Sequence, residues 1–287
     1  MGNCTVLGLA GFTLILFLGS VAAGTVGALA GLGGGILIVP LLTVGFGVDV
    51  RYAIGASIVS VIATSSGAAA AYVRDRITNL RVGMFLELAT TTGAICGALL
   101  AGLVHSSVLF VFFGLMLATS AIPLIARVGE ELPAGVKDDF WSARLRLGST
   151  YHDATMKRTV AYQVTRVPLG LGMMWLAGLF SGLLGIGSGT MKVLAMDTAM
   201  RLPMKVSTTT SNFMIGVTAA ASAGIYFARG DVNPLIAAPV ALGVLLGASL
   251  GSRLLMRMRN STLRKVFVPV LLVVAIEMIL RGLGVRT

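Results

Sequence analysis

Eight stretches of this 287-residue chain carry almost no charge: 6–32, 54–73, 82–104, 108–126, 167–184, 206–228, 232–252 and 266–280. A helix needs about 20 apolar residues to cross the hydrocarbon layer, and most of these windows are long enough. Lipid admits only helices and closed barrels, because no water is there to satisfy a free backbone amide or carbonyl. The windows lack the alternation of barrel strands, so they read as the helices of an all-α, polytopic membrane protein. Charged residues make up 11% of the chain, against about 25% in soluble domains. The net charge of +11 could suggest a nucleic-acid partner. The basic residues stand at the ends of the apolar windows, however, which is the positive-inside pattern, and no nucleic acid is expected.

Cys96 lies inside an apolar window and its only fellow is Cys4, which argues against a disulfide framework. No Lys or Arg precedes the first window and no small-residue cleavage site follows it, so it reads as a first membrane helix rather than a signal peptide. His105 and His152 have no Cys or second His at ligand spacing, so no metal site is assigned. Neither a P-loop nor a dinucleotide fingerprint in its strand–turn–helix setting is present, and no cofactor is expected.

One stretch breaks the apolar pattern. Residues 127–166 hold seven Lys/Arg and five Asp/Glu and read as a solvated connector, with a short amphipathic helix near 140–147. It divides the chain into membrane repeat 1 (1–126), a cytoplasmic connector (127–166) and membrane repeat 2 (167–287). The halves align at an offset of 154. Over 24–100 against 178–254 there are 16 identities in 77 ungapped positions, among them Gly31, Gly33 and Gly35 on Gly185, Gly187 and Gly189, and Ser57 on Ser211. Each half contains a short, Gly-broken apolar segment, at 34–47 and 188–200. If these segments only dip in and return, each half has four crossings and the halves are parallel; if they cross, the halves are inverted. The inverted arrangement, with both termini outside, obeys the positive-inside rule better and is the expected one. The basic clusters at 74–81, 127–166, 201–205 and 253–265 then all fall on the cytoplasmic side.

Paired Gly-broken segments at matching places in two halves point to a transporter's binding site. Glycine lets the backbone unwind and approach a ligand, and a helix restarting after the break offers amide hydrogens and its positive dipole end to an anion. The blander role of such glycines is close helix packing. The candidate substrate-binding set is Gly33, Gly34 and Gly35 with Ser57 in the first half. In the second half it is Gly187, Ser188, Gly189, Lys192, Thr210, Ser211 and Asn212. Lys192 stands where the first half has Ile38, and a lysine at membrane depth is functional by default; its duller alternative is snorkelling to an interface. The hydroxyls and amide of 207–212 can donate to oxyanion oxygens or cap a helix. Arg51 and Lys205 are repeat mates that would steer anions at opposite mouths. Glu87 and Glu277 lie in apolar windows and could relay a proton or pair with an arginine such as Arg81 or Arg281. Asp197 could pair with Lys192 or Arg201.

At these residues the chain resembles a known family. "AGLGGGILIVPLLT" in the first half, and "SGLLGIGSGTMKVLAMD" followed by "MKVSTTTSNFMIGVTAAASAGIYFARGDV" in the second, are similar to the paired signatures of the sulfite exporter TauE/SafE family. The likeness covers roughly 10–125 and 168–280. It implies a multi-pass carrier of the cell inner membrane, surrounded by lipid bilayer, for a small sulfur-containing anion such as sulfite, thiosulfate or a sulfonate. The chain departs from the pattern at Ser188, which replaces the middle glycine of the second run, and at Leu194, where the first half has Pro40. Two other readings stay open: a passive anion channel, and a membrane anchoring or sensory subunit working through 127–166. No nucleophile–base or metal constellation suggests an enzyme.

Overall fold

A computed structural model describes residues 2–29, 34–74, 78–126, 139–153, 158–255 and 272–284. Helix α1 (Gly2–Leu29) leads to the first broken segment: a 3-10 turn (Gly34–Leu37), a short α2 (Ile38–Pro40) and a π turn (Leu41–Gly45). Three long helices follow, α3 (Val50–Arg74), α4 (Leu80–Leu103) and α5 (Ser106–Ala126). The described part of the connector is α6 (Phe140–Leu145) and a hairpin of β1 (Ser149–Asp153) and β2 (Arg158–Tyr162). The second half then repeats the order: α7 (Val167–Leu184), the broken segment α8 (Gly189–Leu194) with its π turn (Ala195–Ala199), α9 (Met204–Ala228), α10 (Pro234–Leu255) and the helix 272–282, here α11.

Among the described residues, α4, α7 and α9 carry stretches (Leu80–Leu103, Val167–Leu184, Lys205–Ala228) long and apolar enough to cross a membrane, and four shorter apolar helices accompany them. Leu88, Leu99, Leu103, Leu176, Leu242, Leu246 and Leu250 point outward and are exposed. In water such a belt would drive aggregation; in a bilayer it is the matching surface.

The 154-residue offset recurs in the packing. A Cβ on Gly93 of α4 would strike the Trp175 carbonyl of α7, and a Cβ on the mate Gly247 of α10 would strike Val21, the mate of Trp175. Gly178 lies on the Thr90 carbonyl, and its mate Gly24 on Val244, the mate of Thr90. Two seams of backbone against backbone result, α4 on α7 and α1 on α10. Small residues allow this close approach, which supplies the packing that lipid exclusion cannot. Each seam joins helices from different halves. Even the turns after the breaks correspond, for Gly47 (φ 65°) and its mate Arg201 (φ 58°) share the left-handed conformation.

The direction of α3 and α9 decides the sense of the repeat. Gly55 of α3 abuts the Asp231 carbonyl just beyond the end of α9, while Ser65 of α3 meets Gly216 in the middle of α9. The two helices therefore run antiparallel. They are repeat mates, so the halves have opposite orientation; repeats of the same sense would set these helices parallel. The halves are inverted, each with its short broken segment.

Most described residues of the connector are exposed, but a few pack inward. Leu147, Tyr151 and Val164 are buried in a core shared with Met196, Met200 and Leu202 after the second break and with Val82 and Leu86 of α4. Asp139 caps two helices at once: its Oδ1 accepts from Ser142 N at 2.7 Å and its Oδ2 from Val167 N at 2.9 Å.

Candidate functional site

The two breaks meet at one side chain. Ser57 Oγ on α3 lies 3.0 Å from Gly35 O of the first break and 2.8 Å from Gly185 O of the second. Its single proton can serve either carbonyl. One turn further on, Val61 touches both breaks, since a Cβ added to Gly35 or to Gly187 would press on it. The mate of Ser57 acts alike: Ser211 Oγ donates to Gly189 O at 3.1 Å. Gly34 opens the 3-10 turn, and Gly33 lies outside the described residues.

The second break is unwound by three left-handed residues, Gly185 (φ 67°), Gly187 (φ 73°) and Ser188 (φ 41°). Glycine adopts this backbone without cost; for serine it is strained. Ser188 is held there by its hydroxyl, which donates to Ala177 O at 2.6 Å. The chain then restarts as α8 and carries Lys192 into the interior.

Lys192 is fully buried and does not snorkel. It reaches α9, where its Nζ donates to Thr218 Oγ1 at 2.5 Å. Thr218 Oγ1 in turn lies 2.7 Å from Glu87 Oε1 of α4, which also accepts from Thr91 at 3.1 Å. Glu87 Oε2 is buried with no hydrogen-bond partner. An ammonium, a hydroxyl and a carboxylate from three helices thus meet at buried positions, where their mutual attraction is little screened. Neither arginine proposed for Glu87 reaches it: Arg81 donates to Arg146 O and Arg281 to Thr43 O. Glu277 is half-buried on α11, the helix whose Arg281 holds the first broken segment.

Other expected residues lie apart from this centre. Thr210 accepts from Asn79 N at 3.1 Å, at the junction with the connector. There Asn79 Nδ2 donates to Leu147 O at 2.9 Å and to Tyr162 Oη at 2.8 Å, while its Oδ1 caps α4 through Val82 N. Burial pushes the Tyr162 phenol up to about 12, so it stays neutral at physiological pH. Asn79→Ala is expected to loosen the hairpin by about 1–3 kcal/mol, the range for a lost cap and orphaned partners. Amide exchange over 140–165 should quicken while the middle of α9 stays protected. Asn212 is half-buried on α9. Arg51 and Lys205 begin α3 and α9, and the antiparallel packing puts them at opposite ends of the molecule.

The sequence reading missed Thr218 as a site residue. A signal for it existed: Ser207, Ser211, Thr218 and Ser222 form a buried polar stripe along one face of α9, at helical spacing.

Comparison with known proteins completes the description. The profile of the family described as sulfite exporter TauE/SafE matches residues 16–278. The "probable membrane transporter protein YunE" of Bacillus subtilis (strain 168) is 29% identical over 283 residues, which cover 95% of this chain and 98% of that protein. From the same organism, the "probable membrane transporter protein YdhB" is 25% identical over 84% of this chain and 87% of its own. The "probable membrane transporter protein ORF9" of Sinorhizobium sp is 24% identical over 94% and 91%. No solved structure matches the chain.

Proposed function

This chain belongs to the sulfite exporter TauE/SafE family and is a membrane transporter, and from that premise we propose that it is a secondary carrier of a small sulfur-containing anion. Sulfite, thiosulfate and sulfonates are the candidates. The observation that carries the reading is Lys192: a fully buried ammonium just beyond a helix break, in the half where the break is most strongly unwound. A buried charge needs a partner, and here that partner is exchangeable. Gly33, Gly34 and Gly35 with Ser57, and Gly187, Ser188 and Gly189 with Ser211, frame the anion, with Thr210 and Asn212 on its approach. Arg51 and Lys205 draw anions to the two mouths, and Glu87 and Glu277 are the candidates for proton coupling.

The topology follows from charge. The ends at which α4, α7 and α9 begin carry Arg81, Arg144, Arg146, Arg166, Arg201 and Lys205. At the other end, Arg51, Arg229 and Arg281 stand with Asp49 and Asp231, and Arg229 pairs with Asp231 at 2.8 Å. The positive-inside rule makes the first end, with the connector 127–166, cytoplasmic in the inner membrane, between repeats at 1–126 and 167–287.

Thermal unfolding of the purified chain tests the substrate class. A ligand present at 100 times its Kd stabilises the folded state by about 2.7 kcal/mol. Sulfite, thiosulfate or a short sulfonate should raise the unfolding midpoint, and chloride at the same ionic strength should not. A midpoint indifferent to every sulfur anion would refute the proposal.

A further inference from the structure

The Lys192–Thr218–Glu87 chain constrains which anions can be carried and what travels with them. Thr218 has one hydroxyl proton, and its Oγ1 already accepts from Lys192. That proton has two possible acceptors, Glu87 Oε1 at 2.7 Å and the Met214 carbonyl of its own helix at 2.8 Å. An ionised Glu87 is the stronger acceptor and takes it. A neutral Glu87 lets the hydroxyl turn back to Met214, and Lys192 is then no longer tied through Thr218 to a carboxylate. Glu87 Oε2 is buried and unpartnered, the free oxygen on which a proton would sit.

The charges on the packed elements are few. Helix α8 brings Lys192, and the π turn after it brings Asp197, half-buried. Helix α7 brings no titratable group. Helix α9 brings Lys205 and Tyr226 near its two ends, and α4 itself adds Arg81 near its start and Cys96 beyond Glu87. Helix α3, packed on α9, brings charge only near its start, at Arg51, and at its end, at Arg74. The charged groups that meet at Thr218 are one ammonium and one carboxylate, which cancel.

We propose that Glu87 is the resident counter-ion of Lys192, that each anion binding at Lys192 brings about one proton onto Glu87 Oε2 with Thr218 as the positioning residue between them, and that the carrier is thereby selective for singly charged sulfur anions. The inference rests on the reading that Lys192 binds the transported anion. Its basis is charge balance. The empty site is neutral. A singly charged anion beside an ionised Glu87 would leave one uncompensated negative charge in a low-dielectric interior, which is costly. Protonation of Glu87 restores neutrality, so anion and proton cross together without net charge. A doubly charged anion stays uncompensated even then. The rule narrows the candidates named above: hydrogen sulfite and alkanesulfonates fit it, and thiosulfate, like sulfate, does not.

The test uses the full chain in detergent, weakly buffered with a pH indicator, titrated with methanesulfonate, whose single charge does not change with pH. Binding should take up about one proton per anion, and the apparent Kd should rise about tenfold per pH unit wherever Glu87 is ionised in the empty protein. Glu87→Gln should abolish the proton uptake and flatten the pH dependence. Thr218→Val should blunt the uptake and Thr218→Ser restore it, which a merely structural role would not do. Sulfate should bind at least tenfold more weakly. Methanesulfonate binding without proton uptake, a pH dependence that survives in Glu87→Gln, or tighter binding of sulfate overturns this inference and leaves the anion reading standing. Failure of methanesulfonate, sulfite, sulfate and thiosulfate alike to bind overturns both.

Discussion

Replacing Lys192 by methionine is expected to cripple the proposed sulfur-anion uptake into proteoliposomes. Methionine keeps the length and flexibility of the lysine stem, so the packing beside α9 is preserved and only the ammonium is lost. A hydrogen bond to a charged group contributes about 1.5–3 kcal/mol, and each 1.36 kcal/mol is tenfold in rate; the loss is about tenfold to a hundredfold from that contact alone. The substitution also strands Glu87, and breaking a buried charge pair costs about 3–5 kcal/mol. A second variant separates the two effects. Lys192→Met with Glu87→Gln removes both charges, so it should regain thermal stability while remaining inactive. Recovery of transport in that double variant would show that Lys192 serves only to neutralise Glu87.

The second large effect falls on Ser57. Ser57→Ala leaves Gly35 O and Gly185 O without their shared donor at a fully buried position. One buried group left unsatisfied costs about 1–3 kcal/mol; two carbonyls facing each other across the gap belong at the upper end. Their repulsion pushes the breaks apart, so transport should fall more than tenfold even where the fold survives. The unfolding midpoint and uptake of the same preparation measure both. Ser57→Thr keeps the hydroxyl and should hold on to most of the stability, at the expense of crowding against Gly35, whose Cα is already close to Val61. Full activity in Ser57→Ala would mean that the breaks are held by packing alone.

Much of this was legible in the sequence because it follows from composition along the chain. Lipid forces apolar windows into helices, and α4, α7 and α9 begin within a few residues of the windows at 82, 167 and 206. The repeat was legible because glycines at backbone seams tolerate no substitute, so Gly93 and Gly247 keep their register. Lys192 stood out as a charge that lipid does not accept. What stayed hidden was pairing. Glu87 and Lys192 come from different halves, and no local pattern says that α4 lies against α9. Thr218 looks like any threonine whose hydroxyl can turn back to the preceding turn, and Met214 O lies 2.8 Å from it. Nor does the polar run around Thr210 tell that its Oγ1 accepts from Asn79 N, 131 residues earlier. The hairpin of 149–162 was not read because five residues per strand give too short an alternation to separate from a polar loop.

The glycine seams limit how such a carrier can move. With α1 embedded on α10 and α4 on α7, each stretch of chain lends a wall to the other, like interlocked fingers. A stroke that swung residues 1–126 as one piece against 167–287 would have to pry open both contacts where backbones already touch. A transporter that changes shape without breaking these seams keeps α1 with α10 and α4 with α7, which leaves the antiparallel α3–α9 contact and the breaks that Ser57 bridges as the places for slippage.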